Sequence, residues 1–431
     1  MSELTETEHQ QDKVIALHPR LAEMRWGEAA SKSRFEEFER LVLSLGCPLE
    51  ESVLMNVRRA IPATLIGSGQ AEDIAKRVEI KEVAVVFVDH QLSPIQQRNL
   101  ETAFNCKVID RTGLILEIFG ARAKTREGVM QVELASLNYQ ISRLVRTWTH
   151  LERQRGGVGF MGGPGERQLE LDKRMIRDSI KRIEQDLAKV RQMRATQREG
   201  RKRRDVLTVA LVGYTNAGKS TLFNKITNAD AYVADQLFAT LDPTLRQIKF
   251  KNSVTLMMSD TVGFVQELPH ELVNAFRATL EEVIEADLIL HVRDIADAES
   301  PNHKSVVVET LRELGLDGDN APPIVEVLNK IDLAPKVKTT LRKNIDGSRI
   351  ALSAVTGHGM DDLMALLAKW SEQNMVELDL QLPIADGKTL AWCHENGLVL
   401  SQKADDEWLK LKVRISPKFQ SQLQEWVVEA N

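Results

Sequence analysis

The octapeptide Gly213-Tyr214-Thr215-Asn216-Ala217-Gly218-Lys219-Ser220 constrains this chain more than any other feature. It follows the apolar, β-branched run 207–212 and precedes TLFNKIT, which reads as a helix. G-x-x-x-x-G-K-S between a strand and a helix is a phosphate-binding loop. Its glycines let backbone N–H groups turn toward phosphate oxygens, and the helix N-terminus adds a favourable dipole. Lys219 would bridge the β- and γ-phosphates of a nucleoside triphosphate, and Ser220 would ligate Mg²⁺. A glycine turn with a stray lysine is the bland alternative, and the strand–loop–helix context argues against it.

The base is chosen downstream. Residues 254–259 form a second apolar strand ending at Asp260-Thr261-Val262-Gly263. Asp260 suits a Mg²⁺-water ligand, and Gly263 lets the backbone approach the γ-phosphate. Residues 324–328 form a third strand, ending at Asn329-Lys330-Ile331-Asp332. The Asp332 carboxylate can accept from guanine N1–H and its 2-amino group. Adenine offers neither donor and would leave a buried acceptor unsatisfied. Ser353-Ala354-Val355 would finish the base pocket. Phe238-Ala239-Thr240-Leu241-Asp242, followed by Pro243 and Thr244, reads as a loop that orders when the γ-phosphate is present. Thr240 is the preferred second Mg²⁺ ligand there, because Thr244 resembles the start of the next strand. The ligands expected are therefore GTP/GDP and Mg²⁺. Lys219, Thr240, Gly263 and Asn216 are the residues expected to act in hydrolysis of GTP to GDP and phosphate.

These motifs match the translation-factor-related class of P-loop GTPases, and within it the chain resembles the HflX family of ribosome-associated GTPases. The segments IGSGQAEDI (66–74), LSPIQQRNLE (92–101), VIDRTGLILEIF (108–119) and GGPGERQLE (162–170) carry that resemblance upstream. It spans roughly residues 50–370. Arg167 departs from the small hydroxyl residue usual in the family, and residues 376–431 form a tail that only some members have. The resemblance implies a ribosomal partner, chiefly the large subunit and its rRNA, with rescue or splitting of ribosomes under GTP control. It also implies slow intrinsic hydrolysis stimulated by that partner. Phe264 stands where Ras-like switches place a water-orienting glutamine. In several related GTPases an asparagine placed like Asn216 holds a K⁺. Asn216 either does this or merely caps the turn.

The segment before the nucleotide motifs reads as a helical hairpin. Leu134, Leu137, Ile141, Leu144, Trp148 and Leu151 recur in heptad steps. So do Leu169, Ile176, Ile180, Ile183, Leu187 and Val190, one position being skipped. Between them lies the glycine-rich stretch 156–165. Arg143, Arg146, Arg153, Arg155, Arg174, Arg177 and Lys181 line its sides. Residues 167–204 carry 14 Lys/Arg against 6 Asp/Glu, within a chain of net charge −5. A local basic patch on an acidic protein fits a polyanion such as folded RNA, or is simply a solvated face. REGRKRR (198–204) reads as a linker.

The fold class expected is α/β: a P-loop GTPase domain with an N-terminal α/β domain, a helical hairpin and a small C-terminal α/β domain. The boundaries expected are a disordered stretch at 1–20, an N-terminal domain at 21–130, the hairpin and linker at 131–204, the GTP-binding domain at 205–373 and the C-terminal module at 374–431. Short strands are expected at 64–66, 83–88 and 107–109, and in the tail at 376–382, 398–400 and 409–413 before a final helix at 417–428. Asp89 and His90 end a strand without an evident third partner and read as structural. Cys47, Cys106 and Cys393 lack metal-ligand spacing and suit a cytosolic, reduced chain. No run approaches the roughly 20 apolar residues of a membrane helix, the polar start lacks a signal-peptide core, and a cytoplasmic monomer is expected. The motifs leave a large-subunit assembly GTPase, an RNA-remodelling factor and a signalling switch without RNA as rivals.

Overall fold

The computed structural model describes residues 12–24, 28–154, 164–203, 206–227, 238, 244–250, 255–266, 280–318, 321–334, 349–373, 375–405, 407–415 and 417–428, without the side chains of 24, 28–29, 145–154, 164–169, 197–198, 201–203, 249, 373 and 418. The chain divides into two compact units. The first comprises Met1–Val190, Ala234–Asp242 and Glu267–Arg277, and the second the remainder.

The first unit is built on four parallel strands, β1 (Val14–Leu21), β2 (Leu49–Val57), β3 (Val85–Val88) and β4 (Lys107–Asp110), in the order β2-β1-β3-β4. Helices α1 (Glu28–Leu43), α2 (Ser68–Lys81), α3 (Pro94–Phe104) and α4 (Arg111–Arg122) connect or follow them. β1 is a correction to the sequence reading, which placed 1–20 in a disordered start. It pairs with β2 and β3, and its near-continuous burial shows that both of its faces are covered. A strand buried on both faces shows no period-2 alternation. Residues 64–66 also differ from expectation. They form a turn with one isolated bridge, Ile61 to Leu65, and Leu65 is left-handed at φ 67°. α3 starts as its sequence dictates: Ser93 accepts from Gln96 N–H, Gln96 reaches back, and Pro94 occupies the first turn.

A buried ion network sits at the ends of β1 and β3. Asp89 meets His18 at 2.6 Å, Arg34 at 3.3 Å and Arg111 at 2.6 Å, and Arg111 also meets Glu37 at 2.6 Å. Burial alone would raise the Asp89 carboxyl, but the Arg111 and Arg34 charges and the His18 hydrogen bond hold it well below the usual range. The structural reading of Asp89 therefore gains partners that come from 55 and 71 residues away.

α5 (Arg126–Gln154) and α6 (Pro164–Arg203) follow. Leu134, Ile183 and Leu187 form a buried cluster joined by Met130, Leu137 and Ile180, the antiparallel seam expected near the hairpin base. The tip residues 155–163 lie outside the described residues. α6 differs from expectation at its end, continuing to Arg203 through most of the supposed linker. Arg143 is also corrected. Rather than lining an RNA-facing side, it is mostly buried, paired with Asp110 and bonded to Gln97. Tyr139 donates to the same Asp110 at 2.6 Å. Arg174, Arg177 and Lys181 are exposed.

The second unit holds a six-stranded sheet, β10-β9-β8-β5-β7-β6, parallel except for β6. Its strands are β5 (Leu207–Gly213), β6 (Thr244–Lys249), β7 (Thr255–Asp260), β8 (Leu288–Asp294), β9 (Ile324–Asn329) and β10 (Arg349–Ala351). Helices α7 (Lys219–Thr227), α8 (Ser300–Glu313) and α9 (Met360–Gln373) accompany them. Apolar clusters lie on both faces, one around Leu211, Phe223 and Leu290, the other around Val212, Ile289 and Val307. β5 is central, so the loop leaving it opens where ligands bind in such sheets, at the carboxyl ends of the strands. The C-terminal module contains β11 (Val376–Pro383), α10 (Gly387–Asn396), β12 (Gly397–Ala404) and β13 (Trp408–Ile415), in the antiparallel order β11-β13-β12. The single terminal helix expected is broken into a short α11 (Gln420–Leu423) between two 3₁₀ turns, and Val427 bridges back to Leu380. Among the described residues no helix is long and apolar enough to cross a membrane.

Candidate nucleotide site

β5 delivers the phosphate loop between β7 and β8. A Cβ on Gly213 would lie 2.2 Å from the Val292 carbonyl oxygen, so only glycine lets β5 end this close to β8. Gly218 adopts φ +89°, and a Cβ there would meet the Asn329 amide at 2.3 Å. Lys219 opens α7 and is buried. Its ammonium donates to the carbonyls of Gly213 at 3.1 Å and Tyr214 at 2.8 Å. Burial pulls its pKa down to about 8, with the Asp260 charge opposing. The side chain is thus a desolvated cation held by two weak acceptors, suited to exchange them for phosphate oxygens.

Ser220 donates its hydroxyl to Asp260 at 2.8 Å. This pairing joins the loop serine to the carboxylate at the end of β7, and it is the donor set Mg²⁺ needs: one direct oxygen ligand and one acid to hold its water. Among the described residues no group of three or more His, Cys, Asp or Glu could hold a metal by itself. Thr240 and its neighbours Ala239, Leu241 and Asp242 lie outside the described residues. Thr244 opens β6 opposite Asp260, as its sequence position suggested. Phe238 belongs to the first unit, where its ring packs edge-on against Phe119 at 4.6 Å.

Thr261 and Val262 serve the frame. The Thr261 hydroxyl donates to the Leu211 carbonyl at 2.6 Å, and Val262 is buried. Phe264 bonds through its backbone: its N–H donates to Gly213 at 3.1 Å and its carbonyl accepts from Thr215 at 2.8 Å. Its ring is buried with Val212, Val283 and Ile289. The position that carries a water-orienting glutamine elsewhere is here a core anchor. Gly263 lies where a Cβ would come within 2.9 Å of Thr215 Cγ2 and 3.0 Å of Lys219 Nζ.

The base-side motifs converge on one residue. Asn329 donates to the Ala217 carbonyl at 2.9 Å and accepts from Ala354 N–H at 3.0 Å. Lys330 is left-handed at φ 63° and its ammonium pairs with Asp294 at 2.8 Å. Ile331 and Asp332 lie on a 3₁₀ turn, with Asp332 exposed. Ser353 is buried and accepts from Thr356 N–H at 3.1 Å, while Val355 is exposed. Asn216 is exposed and left-handed at φ 59°, and no side-chain hydrogen bond ties it to the turn among the described residues.

Two participants escaped the sequence reading. His303 on α8 stacks on the Tyr214 ring at 3.8 Å and 10°, and Tyr214 accepts from Gln266 N–H at 3.0 Å. Asp294, at the end of β8, holds Lys330. Both lie on elements whose sequence shows no motif, and only the sheet order brings them to the loop.

Comparison with known proteins agrees with this geometry. Family models match at residues 32–120 (GTP-binding GTPase N-terminal), 122–201 (GTP-binding GTPase Middle Region), 208–330 (50S ribosome-binding GTPase) and 336–427 (HflX C-terminal domain). A GTPase HflX from Magnetococcus marinus is 46% identical over 424 residues, covering 98% of this chain and 96% of its own. The GTPase HflX of Escherichia coli is 43% identical over 393 residues, covering 91% and 90%. A crystal structure of a GTP-binding protein from the archaeon Sulfolobus solfataricus in complex with GDP is similar at 23% identity and a TM-score of 0.43, covering 84% of this chain and 99% of that one. The four family models and the full-length sequence likeness to curated GTPase HflX proteins lead to one conclusion: the chain is a GTPase and belongs to the HflX family.

Proposed function

We propose that this GTPase binds ribosomes through the large subunit and its rRNA, and that GTP controls a dissociating or rescuing action on them. The observation that carries the reading is the exposed basic face of α6, with Arg174, Arg177 and Lys181 open to solvent, in a chain whose residues 208–330 match the 50S ribosome-binding GTPase model. Phosphate contacts of this kind supply sequence-independent affinity for folded RNA. The domain boundaries read from the sequence serve this scheme. The N-terminal domain and hairpin make the ribosome-facing part, residues 205–373 the nucleotide switch, and 374–431 an accessory module.

In this reading the triphosphate orders residues 238–242 and Asp260–Gly263, which fixes a binding pose that hydrolysis releases. Ser220 and Thr240 would hold Mg²⁺, which would supply positive charge to the phosphates. Asn216, exposed at the loop, would hold K⁺, which would supply positive charge where negative charge develops. The protein acts as a cytoplasmic monomer. The test is sedimentation of intact ribosomes with the protein and GTP, GDP or a non-hydrolysable GTP analogue. Free subunits with the triphosphate support the reading. Binding restricted to immature large subunits, with intact ribosomes left whole, replaces it with an assembly role.

A further inference from the structure

Phe264 leaves hydrolysis without a side chain that can touch the reacting groups from the β7 end. The opposite wall supplies one. Thr215 stands at the third position of the phosphate loop and is 7% exposed. Its Oγ1 is buried and meets no hydrogen-bond partner among the described residues. Leaving a buried hydroxyl unpaired is costly, and a catalytic or ligand-binding role is one reason a native structure keeps one.

The surroundings identify that role. The Thr215 methyl group lies 2.9 Å, and its Cα 3.0 Å, from where a Cβ on Gly263 would sit, and Lys219 Nζ is 3.0 Å from the same point. Gly263 lies three residues beyond the end of β7, in the stretch whose backbone is expected to approach the terminal phosphate, and Lys219 is the lysine of the phosphate loop. Three groups therefore converge on one small space. The Thr215 backbone is fixed there, because its N–H donates to Phe264 at 2.8 Å. The same contact that ties the Phe264 backbone to the loop thus fixes the Thr215 residue beside Gly263 and Lys219.

We propose that Thr215 is a γ-phosphate-contacting catalytic residue, its Oγ1 donating a hydrogen bond to a γ-phosphoryl oxygen of GTP. During hydrolysis the water oxygen bonds to the γ-phosphorus. The bond from phosphorus to the β,γ-bridging oxygen breaks with its electron pair staying on GDP, and the water proton leaves with the phosphate product. Charge on the γ-oxygens is spread through this transfer, so a fixed donor there favours GTP over GDP and lowers the barrier.

The test compares Thr215→Val, which keeps the shape and the methyl contact, with Thr215→Ser, which keeps the hydroxyl. Affinities for GDP and for a non-hydrolysable GTP analogue are measured by titration, and hydrolysis by single turnover. Thr215→Val should weaken analogue binding about tenfold and slow hydrolysis tenfold or more, since bonds to charged groups are worth about 1.5–3 kcal/mol. GDP affinity should change less than about twofold in the same variant, because GDP lacks the contacted oxygen. Thr215→Ser should restore both values. Wild-type hydrolysis and analogue affinity in Thr215→Val would overturn the proposal. So would equal losses for GDP and the analogue, which would show that the hydroxyl only shapes the loop.

Discussion

The side-chain amide of Asn329 donates to the carbonyl oxygen of Ala217 at 2.9 Å, joining the loop after β9 to the phosphate loop after β5 across 112 residues of sequence. Its oxygen accepts from Ala354 N–H, so one buried amide holds three loops in register. The end of β9, the phosphate loop and the segment after β10 therefore share a single brace.

Asn329→Ala should loosen all three at once. It leaves the Ala217 carbonyl and the Ala354 N–H without their partner, at about 1–3 kcal/mol for each buried group. GDP affinity should fall roughly tenfold or more, and the thermal midpoint should drop. Titration calorimetry together with thermal unfolding checks this. Unchanged affinity would show that the brace is redundant.

Asp332→Asn tests the base assignment. The exposed carboxylate becomes an amide, which suits the 2-oxo group of xanthine better than the 2-amino group of guanine. GTP affinity should fall by roughly 100-fold or more, with a gain for XTP. Parallel titrations with the two triphosphates decide it, and equal changes for both would point to another residue reading the base.

The His291 imidazole gives the second unit a pH dependence. It is buried on β8, and burial pushes its pKa down from 6.5 to about 4. The folded state therefore holds His291 neutral, while the unfolded chain takes up a proton below pH 6.5. Stability present above that pH should be lost as pH falls toward 4, by up to roughly 3 kcal/mol. Urea unfolding across this window, compared with His291→Gln, should show a smaller acid loss in the variant. An identical pH slope in both would assign the loss to other groups.

Two kinds of arginine should separate in the hairpin. Arg143→Met removes the cation from the fully buried Asp110 carboxylate and should cost about 3 kcal/mol of stability. Arg177→Glu with Lys181→Glu alters exposed side chains and should leave stability within about 0.5 kcal/mol per site. The double variant should instead weaken ribosome binding most at low salt. Chemical denaturation and sedimentation at two salt concentrations distinguish them.

Potassium dependence bears on Asn216. Replacing Na⁺ by K⁺ should raise single-turnover hydrolysis roughly tenfold if the asparagine holds the cation where charge develops. Asn216→Ala should remove that difference and keep GDP affinity. Equal rates in the two salts, with and without ribosomes, exclude the cation.

The sequence by itself determined the strand–loop–helix setting of the phosphate loop and the Asp260 and Asn329 strand ends. Each is a contiguous motif whose chemistry depends on residues a few positions apart, so local spacing carries the information. It also set the hairpin seam, because a heptad repeat is a local periodicity. Tertiary structure decided the rest. β1 was hidden because a strand covered on both faces loses the alternation that would announce it. Arg143 looked like one more hairpin cation until the fold placed Asp110 beside it. His303 and Asp294 reach the nucleotide loops only through the order of β5, β8 and β9. Phe264 could be recognised from sequence as unable to orient water. That its backbone fixes Thr215, and that the Thr215 hydroxyl is buried without a partner among the described residues, depends on the end of β7 meeting the end of β5, a contact between segments about fifty residues apart that no local pattern encodes.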